Sequence, residues 1–363
     1  MSKNKALIAM SGGVDSSIAA FLMKEVGYEC VGCTMRLYNN EDAGIDVSKA
    51  GHTCCSLDDV EDARTVSYKL GMPYYVFNFS DDFNEKIIQK FIRSYERGLT
   101  PNPCIDCNRY MKFDKLFERA AVLDCDYVVT GHYARIEEED GVFILKKALD
   151  ESKDQSYVLY SMTQEQLAHT RFPLGALRKS EVRAIADRNG FVNADKPDSQ
   201  DICFVPDGDY ARIIELHTGK KYPCGNYVDL EGNVLGTHKG IIHYTIGQRK
   251  GLGIAFGAPR FVCGINAENN EVVLGTNEEL FKRSFTVEDF NWTAGHPPCE
   301  SFKCKAKIRY RQAEQPAEVR VEKDGIVSIC FDEPQRAITP GQAAVLYDGD
   351  TVLGGGVIIG TRD

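Results

Sequence analysis

The chain has 363 residues, 43% hydrophobic and 26% charged, with a net charge of −10. At about 150 residues per domain that length predicts two or three domains, and the composition is that of a folded protein. Mean hydropathy is −0.30, and no apolar run approaches the roughly 18 residues of a membrane-spanning helix. The acidic balance argues against a protein that coats nucleic acid through bulk charge, while leaving room for a local basic surface.

The start, MSKNKALIAM, leads from a short apolar run straight into SGGVDSS. It reads as a first strand rather than a signal peptide. The thirteen cysteines are then expected in the reducing cytoplasm. Their odd number and irregular spacing fit no disulfide framework.

In chain order, Ala6–Met10 predicts a strand, Ile18–Val26 a helix, and Cys30–Leu37 a second strand. Ser56-Leu57-Asp58-Asp59 has capping-box spacing with Asp in place of Glu or Gln. Val60, Ala63, Val66 and Leu70 then share a helical face. Pro73–Phe79 predicts a strand, and Phe83, Ile87, Ile88, Phe91 and Ile92 an amphipathic helix. Asp126–Thr130 is a further buried strand. This alternation predicts an α/β fold with a doubly wound parallel sheet, whose ligands bind beyond the carboxyl ends of the strands.

From about residue 205 helical periodicity fades, and Gly-rich turns separate β-like runs at Gly240–Ile246, Phe261–Ile265 and Glu271–Leu274. From about 284 nearly everything reads as strand: Lys303–Tyr310, Ala317–Val321, Ile326–Cys330, Ala343–Tyr347 and Val352–Ile359. Such spacing predicts a small barrel or sandwich. The expected division is 1–205 for the catalytic α/β domain, 206–280 for a small mixed linking domain, and 281–363 for a C-terminal β-barrel.

Ser11-Gly12-Gly13-Val14-Asp15-Ser16-Ser17 lies between the first strand and the first helix. Its glycines permit a tight turn and close backbone approach. Backbone N–H groups and the helix dipole then face one point, an anion site to which the hydroxyls of Ser11, Ser16 and Ser17 add donors. No Lys follows, so this is not a Walker A loop. The run matches SGGxDS, the pyrophosphate loop of enzymes that split ATP into AMP and pyrophosphate.

A second constellation is Thr100-Pro101-Asn102-Pro103-Cys104-Ile105-Asp106-Cys107-Asn108, a loop of turn formers before a helix expected near Lys112. Cys107 close to that helix N-terminus is favoured as thiolate. Asp198-Ser199-Gln200-Asp201-Ile202-Cys203-Phe204 places another cysteine in a later polar loop. Two loop cysteines above one sheet suggest sulfur handling. Cys30 and Cys33 sit three apart on a strand and so point to opposite faces, which rules out chelation. Cys54-Cys55 is expected only to pack.

Together AMSGGVDSS, TPNPxxxCN, TGHYAR, KDQSYVLY, DSQDICF, IGQRKGLGI and KIRYRQ resemble the tRNA-specific 2-thiouridylases over essentially the whole chain. The resemblance implies an adenine-nucleotide α-hydrolase-like domain that uses ATP and Mg²⁺ to adenylate the wobble uridine at position 2 before sulfur replaces the oxygen. It implies Cys107 as first catalytic cysteine and Cys203 as persulfide carrier. Ala9, Met10, Ser11, Gly12, Gly13, Val14, Asp15, Ser16, Met35 and Gly131 would line the ATP site. Asn102, Pro103 and Cys104 would sit beside the target base. His132, Lys153, Asp154, Gln155, Arg309, Tyr310 and Gln342 would touch tRNA. Implied partners are the wobble-uridine tRNAs for lysine, glutamate and glutamine and a cysteine desulfurase or sulfur relay, with no membrane.

Many members have Asp where this chain has Cys104. Cys104, Cys107 and Cys203 are therefore candidate iron–sulfur ligands, with a reducible dithiol or zinc as alternatives.

Independently of the resemblance, Lys303, Lys305, Lys307, Arg309 and Arg311 alternate with Phe302, Cys304, Ala306, Ile308 and Tyr310. Period two would put five cations on one face over about 26 Å, enough to follow several backbone phosphates. A different pyrophosphate-loop enzyme acting on a small molecule would need neither this strand nor the cysteine pair. A non-catalytic tRNA or iron–sulfur binding protein would not need the complete loop.

Overall fold

The computed structural model describes residues 4–38, 57–194, 196, 202–205, 207–254 and 257–362. Ser56, Cys54-Cys55 and residues 198–201 of the DSQDICF run lie outside the described residues.

The N-terminal half carries β1 (Lys5–Ala9), β2 (Glu29–Arg36), β3 (Tyr74–Asn78), β4 (Tyr127–Val129), the hairpin β5 (Ala134–Glu139) and β6 (Val142–Lys147), and the short β7 (Thr170–Arg171). Five of these form one sheet in the order β3-β2-β1-β4-β7, every pairing parallel. Central β1 is apolar from Ala6 to Ala9 because both faces are covered. Leu7 enters one core with Val31, Cys33 and Val128; Ala6 and Ile8 enter the other with Cys30 and Val129. Cys30 and Cys33 thus lie in different cores, as the strand period requires.

Helix α1 (Val14–Glu25) and helix α2 (Leu57–Lys69) send Ile18, Ala19, Ala63 and Val66 into the second core. A helical run over 80–96, with a π turn at Asn84–Ile88, sends Phe83, Ile87, Ile88, Phe91 and Ile92 into the first.

Past residue 205 the structure departs from expectation. Tyr210–Thr218 is an α-helix, capped by Asp209, whose carboxylate accepts from Arg212 N at 3.1 Å, and ended by Gly219 at φ 63°. Its Ala211, Ile213 and Ile214 join the first core beside Phe91 and Phe204. Ile241–His243, expected as strand, is a 3₁₀ turn. The middle segment holds β8 (Gly225–Val228), β9 (Val234–His238), β10 (Phe261–Asn266) and β11 (Glu271–Gly275), in the order β10-β11-β8-β9.

The C-terminal strands are β12 (Phe281–Trp292), β13 (Ser301–Lys307), β14 (Gln315–Val321), β15 (Val327–Arg336), β16 (Ala343–Asp348) and β17 (Thr351–Arg362). Their order is β12-β15-β14-β13-β16-β17, and β12 also pairs with β17, which closes a six-stranded barrel. Closure removes both sheet edges. Phe285, Val287, Ile308, Val319, Ile329, Phe331 and Leu346 fill its core. The hairpin β5–β6 belongs to the N-terminal half of the sequence but extends this barrel sheet, with Lys146 opposite Thr351. Arg135 to Asp350 at 2.8 Å and Lys147 to Glu314 at 2.6 Å fasten it.

The expected five-cation strand is corrected. β13 ends at Lys307, and Lys303 lies opposite Glu318, so the exposed face is mixed in sign. The Lys307 ammonium sits over the Tyr157 and Tyr347 rings at 5.8 and 5.9 Å, and burial lowers its pKa. Arg309 turns inward.

Candidate active site

The anion loop sits beyond the carboxyl end of β1, where α1 begins. Gly12 has φ 76°, and a Cβ there would lie 2.3 Å from the Asp59 carbonyl oxygen, so only glycine fits. The hydroxyls of Ser16 and Ser17 hold the loop's own shape. Ser16 Oγ donates to Gly13 O at 3.0 Å and Ser17 Oγ to the same oxygen at 3.1 Å. The backbone amides of the first turn of α1 are of the kind that can donate to an anion.

Three residues absent from the sequence reading complete the loop. Lys179 Nζ donates to Asp15 Oδ1 and Oδ2 at 2.8 and 2.7 Å, and the Tyr133 hydroxyl donates to Oδ1 at 2.8 Å. Asn193 Nδ2 donates to Gly12 O and Ser17 Oγ, both at 2.9 Å. No local spacing signals them, because each comes from a distant element. Gly131 packs directly on the loop: a Cβ there would lie 2.8 Å from Asp15 C and Ser16 N. Met10 is buried and accepts from Ser67 Oγ through its sulfur at 3.0 Å. Met35, on β2, packs beside the first core with Ala9.

The cysteine helix begins earlier than expected. Asn102 is its N-cap and accepts from Cys104 N at 3.2 Å, and Pro103 occupies the first turn. Helical structure then runs from Pro103 to Val122, through a π segment at Cys107–Lys115. Cys104, not Cys107, therefore stands in the first turn. Cys104 is exposed and Cys107 half-buried, on neighbouring helical positions. Cys107 and Cys203 both pack beside the first core, and the Tyr38 hydroxyl donates to Cys203 O at 2.6 Å. Among the described residues no three His, Cys, Asp or Glu side chains are disposed to hold a metal. The expected three-thiol ligand set of Cys104, Cys107 and Cys203 is therefore not assembled.

The barrel braces this helix. Gln342 Nε2 donates to Thr100 O at 2.9 Å and Pro101 O at 3.3 Å. Thr100 N donates to Pro340 O at 2.9 Å, and Arg109 pairs with Asp289 on β12.

Several residues expected at tRNA have partners within the chain. Arg309 donates to Ile246 O, Ala337 O and Thr339 Oγ1 at 3.4, 3.2 and 2.8 Å, tying the middle segment to the barrel. Asp154 accepts from Ala148 N and Ser156 Oγ at 3.0 and 2.8 Å, and Gln155 Oε1 from Tyr133 N at 2.9 Å. Lys153 lies half-exposed on the same turn, and Tyr310 shows an exposed ring whose hydroxyl donates to Asp154 O at 3.1 Å. His132 is only 6% exposed. It sits beside the Phe113 and Phe172 rings, with Nδ1 2.7 Å from Thr130 Oγ1 and Nε2 3.3 Å from Lys112 Nζ. Burial first, then Lys112, pushes its pKa well below 6.5. A buried neutral imidazole can accept from the Lys112 ammonium.

A parallel sheet that carries its anion loop past the carboxyl end of the central strand is the arrangement of a pyrophosphate-loop enzyme that uses ATP. Family models agree along the chain. One described as tRNA methyl transferase HUP domain matches residues 4–207, a PRC-barrel domain matches 212–276, and an aminomethyltransferase beta-barrel domain matches 282–358. The tRNA-specific 2-thiouridylase MnmA of Clostridioides difficile (strain 630) is 51% identical over 98% of both chains. The protein of the same name from Acetivibrio thermocellus is 50% identical over 99% of this chain and all of the relative. MnmA 2 of Caldanaerobacter subterraneus subsp. tengcongensis is 51% identical over 98% of each. The chain belongs to the family of tRNA-specific 2-thiouridylases, ATP-dependent tRNA sulfurtransferases. No helix among the described residues is long and apolar enough to cross a membrane.

Proposed function

We propose that the chain is a cytoplasmic enzyme that thiolates position 2 of the wobble uridine in tRNAs for lysine, glutamate and glutamine, with sulfur from a cysteine desulfurase or relay protein. The observation that carries the sulfur route is that Cys107 and Cys203 pack beside the same core, although distant in sequence. Its proposed working parts are residues 1–205 for ATP and sulfur chemistry, 206–280 as link, and 281–363 as brace and tRNA support. The hairpin β5–β6 and the helix Tyr210–Thr218 cross those boundaries.

Oxygen leaves a urea-like carbon poorly. The uridine O2 attacks the α-phosphate of ATP, pyrophosphate departs, and the base carries an AMP leaving group. Mg²⁺ when bound neutralises phosphate charge. Residues 9–16 supply backbone amides to the phosphates, Asp15 is the carboxylate at hand for the ion, and Lys179 and Tyr133 orient it. Met35 and Gly131 flank the nucleotide, and Asn102, Pro103 and Cys104 flank the base.

The terminal sulfur of a Cys203 persulfide then attacks C2 and expels AMP. Cys107 thiolate attacks Cys203 Sγ, forming a Cys107–Cys203 disulfide and leaving both electrons of the broken S–S bond on the C2 sulfur. A thiol reductant restores both cysteines before the next turnover. An iron–sulfur route with Cys104, Cys107 and Cys203 as ligands is the alternative, and the same assay separates the two.

The test is tRNA thiolation by metal-free protein given a persulfide donor. Parent and Cys104→Asp should both be active, and Cys107→Ala and Cys203→Ala inactive. Activity that requires bound iron and falls in Cys104→Asp would overturn the persulfide route.

A further inference from the structure

The helical run over 80–96 buries Phe83, Ile87, Ile88, Phe91, Ile92 and Tyr95 and turns its other side outward. That side carries Lys86, Lys90, Arg93 and, at the C-cap, Arg97. Steps of four, three and four residues keep them on one helical face. Two of them are seen to share it directly: the Lys86 and Lys90 ammonium groups each lie 5.7 Å from the centroid of the Tyr110 ring. Arg109, from the cysteine helix, reaches the same ring at 5.4 Å.

Two of the five cations have carboxylate partners, Lys90 with Asp106 at 2.7 Å and Arg109 with Asp289. Among the described residues no carboxylate pairs with Lys86, Arg93 or Arg97. The helix dipole accounts for Arg93 and Arg97 near the C-terminus. It does not account for Lys86 in the first half, nor for Arg109 on another helix. Three cations on one helical face without carboxylate partners, in a chain of net charge −10, fit a polyanion.

Position identifies which one. Tyr110 stands three residues after Cys107 on the same helix and packs beside the same core. The stripe runs from there for about 16 Å, at 1.5 Å per residue. We propose that Lys86, Lys90, Arg93, Arg97 and Arg109 form a phosphate track for the tRNA strand flanking the base presented to Cys107. The track rests on the tRNA reading above, and it takes the place of the barrel strand as the principal electrostatic surface.

The test compares tRNA binding by the full-length parent and Lys86→Ala/Arg93→Ala/Arg97→Ala across a salt series. Lys90 and Arg109 are left intact because they compensate carboxylates. Each phosphate that is no longer neutralised should flatten the log–log salt dependence by about 0.7 to 0.9. The triple variant should therefore lose about two units of slope and at least tenfold in affinity at low salt. Lys86→Arg/Arg93→Lys/Arg97→Lys should keep both. If the alanine variant unfolds below the parent's temperature, the exposed pair Arg93→Glu/Arg97→Glu replaces it, with the same expectation.

A parent with steep salt dependence and an alanine variant that matches it would overturn the track and leave the tRNA reading standing. A parent that binds no tRNA would overturn both. A charge-retaining variant as weak as the alanine variant would overturn the electrostatic basis. Unchanged tRNA binding with slower sulfur uptake from a persulfide-carrying protein would assign the face to an acidic protein partner instead.

Discussion

Lys179 holds Asp15 by both carboxylate oxygens, at 2.8 and 2.7 Å, across 164 residues of sequence. The Lys179 side chain is 10% exposed and that of Asp15 30%. The pair fixes the loop's one carboxylate where a phosphate-bound cation would meet it. Lys179→Met should lower AMP formation by about two orders of magnitude, the effect of removing one charge-orienting donor from a catalytic site. It should also reduce stability by about 1–3 kcal/mol, because Asp15 keeps its partial burial and loses its cation. Lys179→Arg should recover much of the stability and less of the rate. Full-speed AMP formation by a folded Lys179→Met protein would remove this role.

Gly131→Ala should impair ATP chemistry more than its size suggests. The added methyl would lie 2.8 Å from backbone atoms of Asp15 and Ser16, which cannot turn aside as a side chain would. Overpacking of this kind costs about 1–3 kcal/mol. Gly360→Ala, in open space, is the matched control and should leave both melting temperature and AMP yield at the parent values. Equal behaviour of the two variants would show that the loop tolerates displacement.

Thiol reactivity should separate the cysteines by position. Burial raises the Cys30 thiol to about 11 and the Cys33 thiol further still, and Cys33 is fully enclosed. Thiolate is the reactive form. Iodoacetamide applied to native protein at pH 8 should therefore alkylate exposed Cys104 and spare Cys30 and Cys33. Peptide mass mapping reads the outcome, and early labelling of Cys33 would contradict its placement in the first core.

His132 makes a signed pH prediction. Its imidazole titrates well below 6.5 in the folded chain, owing to burial and then to Lys112. Below about pH 6.5 the unfolded chain takes up a proton that the folded chain refuses. Stability from this group is therefore present above pH 6.5 and lost as the pH falls, by up to about 1.4 kcal/mol per pH unit. Denaturant unfolding of parent and His132→Gln at pH 5 and 7.5 isolates the difference: the variant should lose less on acidification. An equal loss in both would show that His132 titrates normally.

Gln342→Glu should slow sulfur transfer more than adenylation. The Gln342 amide donates to Thr100 O and Pro101 O, just before the Asn102 cap of the cysteine helix. A carboxylate would face two carbonyl oxygens with no proton to offer, loosening the segment that holds Cys104 and Cys107. Single-turnover assays that follow AMP release and thiolated product separately should show the product step falling more. A uniform decline in both would place the brace on the whole fold instead.

Local chemistry made much of this legible in advance. Continuous apolar runs at Ala6–Ile8 and Val128–Val129 announced buried parallel strands, because a sheet covered on both faces has no polar side to alternate with. Ser11–Ser17 announced an anion loop through its glycines. The strand period alone placed Cys30 and Cys33 in separate cores. The cysteine helix was misplaced by several residues because Asn102-Pro103 reads equally as a turn and as a helix start; only the Asn102 bond to Cys104 N distinguishes them.

Packing between distant segments decided the rest. A period of two counts residues along a strand and says nothing of where the strand ends, so the cationic alternation from Lys303 to Arg311 looked continuous although pairing stops at Lys307. Beyond that point Arg309 meets Ile246 and Thr339 from other elements. The sequence by itself determined the parallel sheet, the nucleotide loop and the family to which the motifs belong, since each depends on neighbours within a few turns or strands. Tertiary structure alone decided that Lys179 and Tyr133 meet Asp15, that β5–β6 joins the barrel, and that Lys86 and Arg109 face one tyrosine. Those relations depend on which surfaces dry against one another, and no local spacing records that.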